Sequence, residues 1–204
     1  AFGATNRAMT EYIVEHLGLP FDEAWSLRQH YWHHYGATLL GLVRHHGVRA
    51  AHFLEQTHRL PGLEGRLRTS AHDRAALRRL RGRKYILTNA PRAYAERVLG
   101  ALGIGHHFEA LISIEDMRMF GELRPKPDAR MFRALLKRLR VPAARCVLVE
   151  DTLQHQKAAR RVGMKTVWMQ RWTRAAAKPG ARFHLKPPYV DVRTRSLRAL
   201  RSLR

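Results

Sequence analysis

The chain has 204 residues, of which 45% are hydrophobic, and this is enough for one large domain or for a core domain carrying a smaller one. The composition excludes a wholly disordered chain. The single cysteine, Cys146, excludes a disulfide scaffold and a zinc site built from several thiolates, and it favours a reducing, cytoplasmic location. No run of eighteen apolar residues occurs, so we expect no membrane-spanning helix and no membrane partner.

Basic residues dominate the charge of the chain. Thirty-eight Lys and Arg stand against sixteen Asp and Glu, which gives a formal net charge of +22 with His counted as neutral. Such a charge attracts polyanions, including nucleic acid, anionic lipid and phosphorylated small molecules. The basic residues are spread along the chain, however, so a general compositional bias is favoured over a specific nucleic-acid partner.

The first sixty residues are predicted to be helical. Apolar residues recur at helical spacing over residues 8–17, and Gly18 ends that run. A second helix is predicted over 22–43 and a third, shorter one over 48–54. No strand-like pattern interrupts this stretch.

After residue 61, short apolar runs alternate with helical patterns. The predicted strands are 84–89, 110–114, 146–149, 166–169 and 189–192, and the predicted helices are 73–80, 91–102, 127–139 and 152–162, with an irregular loop over 173–187. Alternation of this kind is typical of β/α units that build a parallel sheet with helices on both faces. We therefore predict an α/β fold with a helical segment over residues 1–70 and an α/β core over residues 71–204.

Polar side chains follow two of the predicted strands. Thr88 and Asn89 stand at the end of the first strand, Glu150 and Asp151 follow the third, and Lys126 lies between two prolines. Ligands of open parallel sheets bind at the carboxyl ends of the strands. Adjacent carboxylates suit Mg²⁺, a hydroxyl and an amide near a helix N-terminus can hold phosphate oxygens, and a fixed lysine can neutralise an anionic intermediate. Together these residue types describe metal-assisted phosphoryl transfer.

Each feature also has an ordinary structural explanation when it is taken alone. An acidic pair at a helix start interacts favourably with the helix dipole, and a Thr-Asn pair after a strand is common in turns. A lysine between prolines is usually a solvated loop residue. The order and spacing of the three features together favour the functional interpretation.

Three segments resemble motifs of one enzyme family. Leu-Thr-Asn at 87–89, Arg-Pro-Lys-Pro-Asp at 124–128 and Val-Leu-Val-Glu-Asp-Thr at 147–152 are similar to motifs two, three and four of the haloacid dehalogenase superfamily. The resemblance covers nearly the whole chain, with residues 1–70 similar to the helical cap and the rest to the Rossmann-like core. Within the superfamily, residues 35–48 and the Leu-Thr-Asn-Ala segment look most like the pyrimidine 5′-nucleotidase branch.

The resemblance implies a Mg²⁺-dependent phosphatase acting on a small phosphomonoester, with nucleoside 5′-monophosphates as the expected substrates. Thr88 would bind the transferring phosphoryl group, with Asn89 beside it. Lys126 would stabilise the nucleophile and the charge on the phosphoryl oxygens. Glu150 and Asp151 would hold Mg²⁺, with Asp151 as the more direct ligand.

Further residues are assigned by their position. Tyr35, Thr38 and His46, in the cap-like segment, are candidates for contacting the substrate, although a core or surface role is an open alternative for each. Thr152 is expected to cap the helix that follows the carboxylate pair. His155 is given no catalytic role. The patterns do not distinguish a monomer from a homodimer.

One motif of the family does not occur in the chain. The Asp-x-Asp-x-Thr pattern supplies the nucleophile and the acid–base group in the family, whereas the aspartates here stand at positions 22, 73, 116, 128, 151 and 191. We therefore expect the natural protein to continue upstream, with this motif and the first core strand before residue 1. Two alternatives stay open: a metal-independent dehalogenase of the same fold, and a catalytically inactive scaffold that binds nucleic acid or another polyanion through its basic surface.

Overall fold

The structure is a computed structural model that describes residues 2–175, 183 and 185–202. It divides into two compact units, one made of Ala1–Thr69 with Arg83–Pro125 and the other of Ser70–Gly82 with Lys126–Arg204. Part of the loop predicted over 173–187, namely residues 176–182 and 184, lies outside the described residues. The predicted α/β fold class is confirmed by the helices and parallel strand pairs.

The described residues form ten α-helices and seven β-strands. The helices are α1 Phe2–Leu17, α2 Phe21–Tyr35, α3 Thr38–His46, α4 Ala50–His58, α5 Leu63–Arg66, α6 Ala71–Arg79, α7 Arg92–Leu102, α8 Ala129–Leu139, α9 Leu153–Arg161 and α10 Arg171–Ala175. The strands are β1 Tyr85–Leu87, β2 Ala110–Ile112, β3 Arg118–Met119, β4 Glu122–Leu123, β5 Val147–Glu150, β6 Lys165–Met169 and β7 Val192–Thr194. Over these ranges, none of the helices has the length and apolar character needed to cross a bilayer.

The helix predicted over 22–43 is two helices in the structure. Gly36 adopts a left-handed backbone with φ of 80°, and its N–H donates to the carbonyl of Trp32, so α2 ends there. Glycine takes this conformation without the steric penalty that other residues meet. The sequence predicts one continuous helix because the apolar spacing continues on both sides of Gly36.

Helices α2 and α3 approach each other closely at Gly41. The ring of Tyr31 lies over this glycine, so that a Cβ atom at position 41 would stand 2.1 Å from Cγ of Tyr31. The hydroxyl of Tyr31 lies 2.8 Å from Nε2 of His46, at the end of α3. The contact between the two helices therefore depends on the absence of a side chain at one position.

The helical part of the first unit shares its core with the segment after β2. The buried cluster consists of Tyr12, Ile13, Ala24, Tyr31, Leu39, Leu42, Phe53, Leu54 and Ile114. Ile114 belongs to this cluster, and residues 83–125, which the sequence analysis placed in the α/β core, lie in the same compact unit as the helices. The assignment of residues 1–70 as a cap stays a prediction.

Two of the three small sheets are parallel. In the first unit β1 pairs with β2 in parallel, with Ile86 opposite Leu111. In the second unit three parallel strands lie in the order β5, β6, β7. The antiparallel hairpin of β3 and β4 was not predicted, because each strand has only two residues and neither shows an apolar run.

Strand β5 has an uncovered apolar side. Within the described part of the chain it pairs with β6 alone. Leu148 is buried, but Val147 and Val149 are 41% and 39% exposed. Parallel strands usually have both faces covered, so these two valines mark an unusually open strand.

We expect Gly41→Ala to destabilise the first unit. The new methyl group would overlap the ring of Tyr31, and overpacking of this kind costs about 1–3 kcal/mol. Urea unfolding monitored by circular dichroism measures the change. Gly100→Ala in α7 is the matched control, since a Cβ there meets nothing within 4 Å, and it is expected to be neutral or stabilising. Equal effects of the two substitutions would contradict the close approach.

We also expect acid to weaken the first unit through His58. Its Nδ1 lies 3.0 Å from the carbonyl oxygen of Leu54, and its ring packs against Tyr94. Burial lowers the pKa of His58 to about 4. The unfolded chain, with an ordinary histidine pKa, binds this proton first, so the contribution is present above about pH 6.5 and is lost as the pH falls towards 4, by up to about 3 kcal/mol.

Unfolding free energies at pH 7 and pH 4.5 test this expectation. His58→Gln removes the titrating group, so the variant should lose less stability on acidification than the parent chain. His72→Gln, at an exposed position, is the control and should leave the pH dependence unchanged. The expectation fails if the two substitutions have the same effect.

Candidate functional site

The predicted site residues fall into both compact units. Thr88 and Asn89 lie in the first unit, directly after β1, whereas Lys126, Glu150 and Asp151 lie in the second. The structure brings the last three together at the carboxyl end of β5. The roles assigned to Thr88 and Asn89 stay predictions.

The turn after β1 is built partly by Thr88 itself. Its backbone N–H donates to the carbonyl of Ile112, which extends the pairing of β1 with β2. Its hydroxyl accepts the N–H of Ala90 at 3.1 Å, a side-chain contact typical of tight turns. Thr88 therefore has a structural task at the strand end as well as the predicted functional one.

A buried ion pair holds Lys126. Its Nζ donates to Oε2 of Glu150 at 2.5 Å, and the two side chains are only 8% and 12% exposed. Lys126 follows Pro125, which is fully buried, so the backbone on this side is fixed by packing. The two charges neutralise each other, and either charge buried alone would carry a large desolvation penalty.

Glu150 is held from several directions. Its Oε1 accepts the N–H groups of Asp151 and Thr152, at 3.1 and 3.4 Å. Nδ1 of His155 lies 3.2 Å from Oε2. Burial alone would raise the pKa of Glu150, but the Lys126 ammonium and the contacts with His155 outweigh it and hold the pKa well below its usual value. Glu150 is therefore a stable carboxylate.

Two further side chains of the α9 region lie beside the carboxylate pair, and one of them, Thr152, differs from its prediction. Burial lowers the pKa of His155, against the opposing effect of Glu150, and its ring is enclosed beside the ion pair. Thr152 does stand at the N-terminus of α9, but its hydroxyl forms no capping bond to the helix. It donates instead to Oδ1 of Asp151 at 3.2 Å. The cap prediction for this side chain was wrong, because the hydroxyl is turned towards the neighbouring carboxylate and its oxygen accepts no N–H group from the first turn of α9.

Asp151 presents the accessible carboxylate of the cluster. The residue is exposed, and partial burial of the carboxyl together with the neighbouring Glu150 raises its pKa to about 6. Its backbone carbonyl accepts the indole N–H of Trp168 at 3.0 Å. The indole contact fixes the peptide that carries this carboxylate.

Gln156 is a site-supporting residue that the sequence analysis did not identify. It is fully buried, and its amide nitrogen donates to the carbonyls of Glu150 and Val167, both at 2.7 Å. One side chain of α9 thus connects the end of β5 to the middle of β6. A glutamine on the apolar side of α9, between the carboxylate pair and two alanines, was the available signal.

One carboxylate of the cluster fits a hard cation. No group of three or more His, Cys, Asp or Glu side chains is placed to hold a metal ion in the described ranges. Glu150 is occupied by Lys126, whereas Asp151 is accessible. Mg²⁺ is often held by one or two carboxylates, with waters and substrate phosphates completing its shell. Asp151 therefore fits such an ion as a protein ligand, and the Glu150 ligand stays a prediction.

The three predicted cap residues all have partners within the first unit. The hydroxyl of Tyr35 lies 2.5 Å from Nε2 of His45, and Nε2 of His46 lies 2.8 Å from the hydroxyl of Tyr31. Thr38 is buried, and its hydroxyl donates to a backbone carbonyl in α2. These contacts show how the side chains are held, and substrate contact by Tyr35, Thr38 and His46 stays a prediction.

Comparisons with known proteins agree on the family and the fold. Residues 4–163 match the model of the haloacid dehalogenase-like hydrolases. A HAD phosphatase from Thermococcus onnurineus is 20% identical with a TM-score of 0.58, over 99% of this chain and 89% of that one. CbbY from Rhodobacter sphaeroides, in complex with phosphate, is 19% identical with a TM-score of 0.62, over 98% and 89%.

Dehalogenases share the fold as well. An L-2-haloacid dehalogenase is 16% identical with a TM-score of 0.54, over 99% of this chain and 83% of that one. At such identities the likeness shows the fold alone. The choice between the two chemistries has to come from the residues of this chain.

We expect Glu150→Gln to destabilise the second unit strongly. The substitution leaves the Lys126 ammonium buried without its counter-charge, and loss of one partner of a buried pair costs about 3–5 kcal/mol. Urea unfolding measures the loss. The double variant Lys126→Met/Glu150→Leu should recover most of it, because no charge is then left buried.

The control is the same substitution in an exposed pair. Glu11 contacts Arg7 at 2.8 Å, with the two side chains 54% and 76% exposed, so Glu11→Gln should have little effect. A similar stability loss for Glu11→Gln and Glu150→Gln would show that the Lys126 pair is not energetically special.

Proposed function

Because the chain belongs to the haloacid dehalogenase-like hydrolase family, we propose that it is a Mg²⁺-dependent phosphatase that hydrolyses small phosphomonoesters. The observation that carries the proposal is the cluster of Lys126, Glu150 and Asp151, in which a cation and an accessible carboxylate stand at one strand end. Nucleoside 5′-monophosphates are the proposed substrates, on the strength of the sequence resemblance to the pyrimidine 5′-nucleotidase branch.

The two carboxylates of the cluster have different roles. Glu150 holds the Lys126 ammonium in place, and Lys126 neutralises the phosphoryl oxygens of the substrate. Asp151 is the protein ligand of Mg²⁺, which when bound supplies further positive charge to the phosphoryl group. Gln156 and Trp168 keep the peptides of the two carboxylates in position.

The remaining roles follow from the resemblance. Thr88 and Asn89 bind the phosphoryl group, and Tyr35, Thr38 and His46 contribute to the recognition of the leaving group. The nucleophile is the first Asp of an Asp-x-Asp-x-Thr pattern, which the sequence of residues 1–204 does not contain. Hydrolysis is therefore proposed for a reading frame that supplies this pattern ahead of residue 1.

A dehalogenase is the rival within the same fold. Proteins named as dehalogenases are among the structural neighbours. The accessible carboxylate of Asp151 beside a carboxylate that is already neutralised suits a cation, and a metal-independent reaction has no use for it. The arrangement of the pair therefore favours the phosphatase.

Phosphate release from a panel of nucleoside 5′-monophosphates and sugar phosphates tests the proposal. With the complete reading frame we expect hydrolysis in Mg²⁺ and none in EDTA, and the nucleotides should be the better substrates. Asp151→Asn should lower the rate by about a hundredfold or more, since the metal loses a charged ligand. Asp22→Asn, the same change at an exposed position of α2, is the control and should keep the activity.

Three outcomes would contradict the proposal. They are phosphate release that persists in EDTA, equal activity of Asp151→Asn and Asp22→Asn, and release of halide from 2-haloacids in place of phosphate. Hydrolysis by residues 1–204 alone would keep the phosphatase but show that its nucleophile is another residue.

A further inference from the structure

A second charged feature of the second unit is built from residues outside the Lys126 cluster. A cavity of about 430 Å³ opens where β6 and β7 end, and it is lined by Gln170, Arg174, Phe183, Arg193, Thr194 and Arg195. None of these residues belongs to the cluster described above. Its volume falls in the range of small-molecule sites.

The lining carries three positive charges and no negative one. Arg174, Arg193 and Arg195 contribute guanidinium groups, and the lining includes no Asp or Glu. Among the residues that the structure describes, neither Arg174 nor Arg195 forms an ion pair. Like charges that share one cavity repel each other, so this arrangement is most stable when an anion occupies the cavity.

Nearby carboxylates are occupied elsewhere. Asp73 accepts from both terminal nitrogens of Arg171, at 2.6 and 3.0 Å. Asp191 lies 3.1 Å from a nitrogen of Arg160 and also accepts the N–H of Thr166. Neither Asp73 nor Asp191 lines the cavity, so neither carboxylate compensates the positive charge of the lining arginines.

Hydrogen bonds hold the backbone around the cavity in position. The buried Gln170 donates its backbone N–H to the carbonyl of Thr194 at 2.7 Å and its side-chain amide to the carbonyl of Phe183 at 3.1 Å. Arg171 donates to the carbonyl of Arg195 at 2.9 Å, while its other nitrogens are held by Asp73. The backbone that carries two of the lining arginines is thus fixed before any ligand binds.

Phe183 shapes the cavity without being available for stacking. The guanidinium of Arg174 lies over its ring, 5.3 Å from the centroid, and the indole of Trp168 stacks near it at 5.9 Å. The ring therefore supports Arg174 in place. The charged groups that line the cavity are all guanidinium groups.

We propose that this cavity is a binding site for a pyrophosphate group, that is, two linked phosphoryl groups on one small molecule. Guanidinium forks match phosphoryl oxygens and form charge-assisted hydrogen bonds with them. Three cations in one cavity exceed what a single phosphate monoanion neutralises, and the cavity is larger than one phosphate needs. Inorganic pyrophosphate and a nucleoside diphosphate share this chemistry.

Isothermal titration calorimetry on the intact chain tests the site. The titrants are inorganic pyrophosphate, orthophosphate, ADP and AMP, all in EDTA so that no metal-dependent binding contributes. We expect pyrophosphate and ADP to bind at least tenfold more tightly than orthophosphate and AMP. The tighter of the two diphosphates identifies the source of the group.

Two lining variants and one control locate the binding. Arg174→Gln and Arg195→Gln should each weaken the diphosphate affinity about tenfold or more, as expected for loss of a hydrogen bond to a charged group. Arg138→Gln, at an exposed position of α8 in the same unit, makes the same charge change and should alter the affinity less than twofold. All three residues are exposed, so the variants are expected to fold, and circular dichroism checks this.

The inference is overturned by any of three results. Absence of diphosphate binding would show that the cavity holds no such ligand. Equal weakening by Arg138→Gln would assign the binding to the general positive charge of the chain. Unchanged affinity in Arg174→Gln and Arg195→Gln would place the binding elsewhere, and none of these results bears on the proposed phosphatase.

Discussion

The second unit depends on one buried ion pair, between Lys126 and Glu150. The pair places a lysine from the segment before α8 against the carboxyl end of β5 and neutralises both charges there. It also affects the charge that the neighbouring Asp151 carboxylate presents. Because Glu150 is occupied, Asp151 carries the negative charge that faces outward, and its raised pKa reflects partial burial first and the carboxylate beside it second. The contact thus joins the segment before α8 to the end of β5 and leaves Asp151 as the accessible carboxylate there.

Much of the fold could be predicted from the sequence because its elements have strong local signals. Short apolar runs identified β5 and β6, and apolar spacing with a terminal glycine identified α1 and α7. The break at Gly36 was missed because the apolar pattern is continuous across it, and only the backbone angle reveals the turn. The grouping of Ile114 with the helical core is a tertiary contact, and no local pattern indicates it.

The candidate site was predictable in its residue types and less so in its contacts. Motif spacing indicated Lys126, Glu150 and Asp151, and these do lie together. The resemblance already implied that Asp151 is the more direct ligand of the two, but burial of Glu150 and its pairing with Lys126 are three-dimensional contacts that the sequence does not show. Gln156 was missed for the same reason, since a polar residue in a helix reveals its role only when the two carbonyls that it joins are known. The cavity of arginines likewise combines residues from separate segments that the sequence shows merely as scattered basic positions.

In the described part of the chain, the edge of β5 opposite β6 pairs with no strand, and this has a consequence in concentrated solution. A strand edge without a partner is a template for pairing with another extended chain, and natural proteins usually protect such edges with lysine, proline or a covering element. The run Val147-Leu148-Val149 carries none of these side chains, whereas β7, at the other end of the same sheet, carries Arg193. We therefore expect this edge of β5 to be the place where the chain self-associates when it is concentrated, and a partner strand that covers the edge to prevent this.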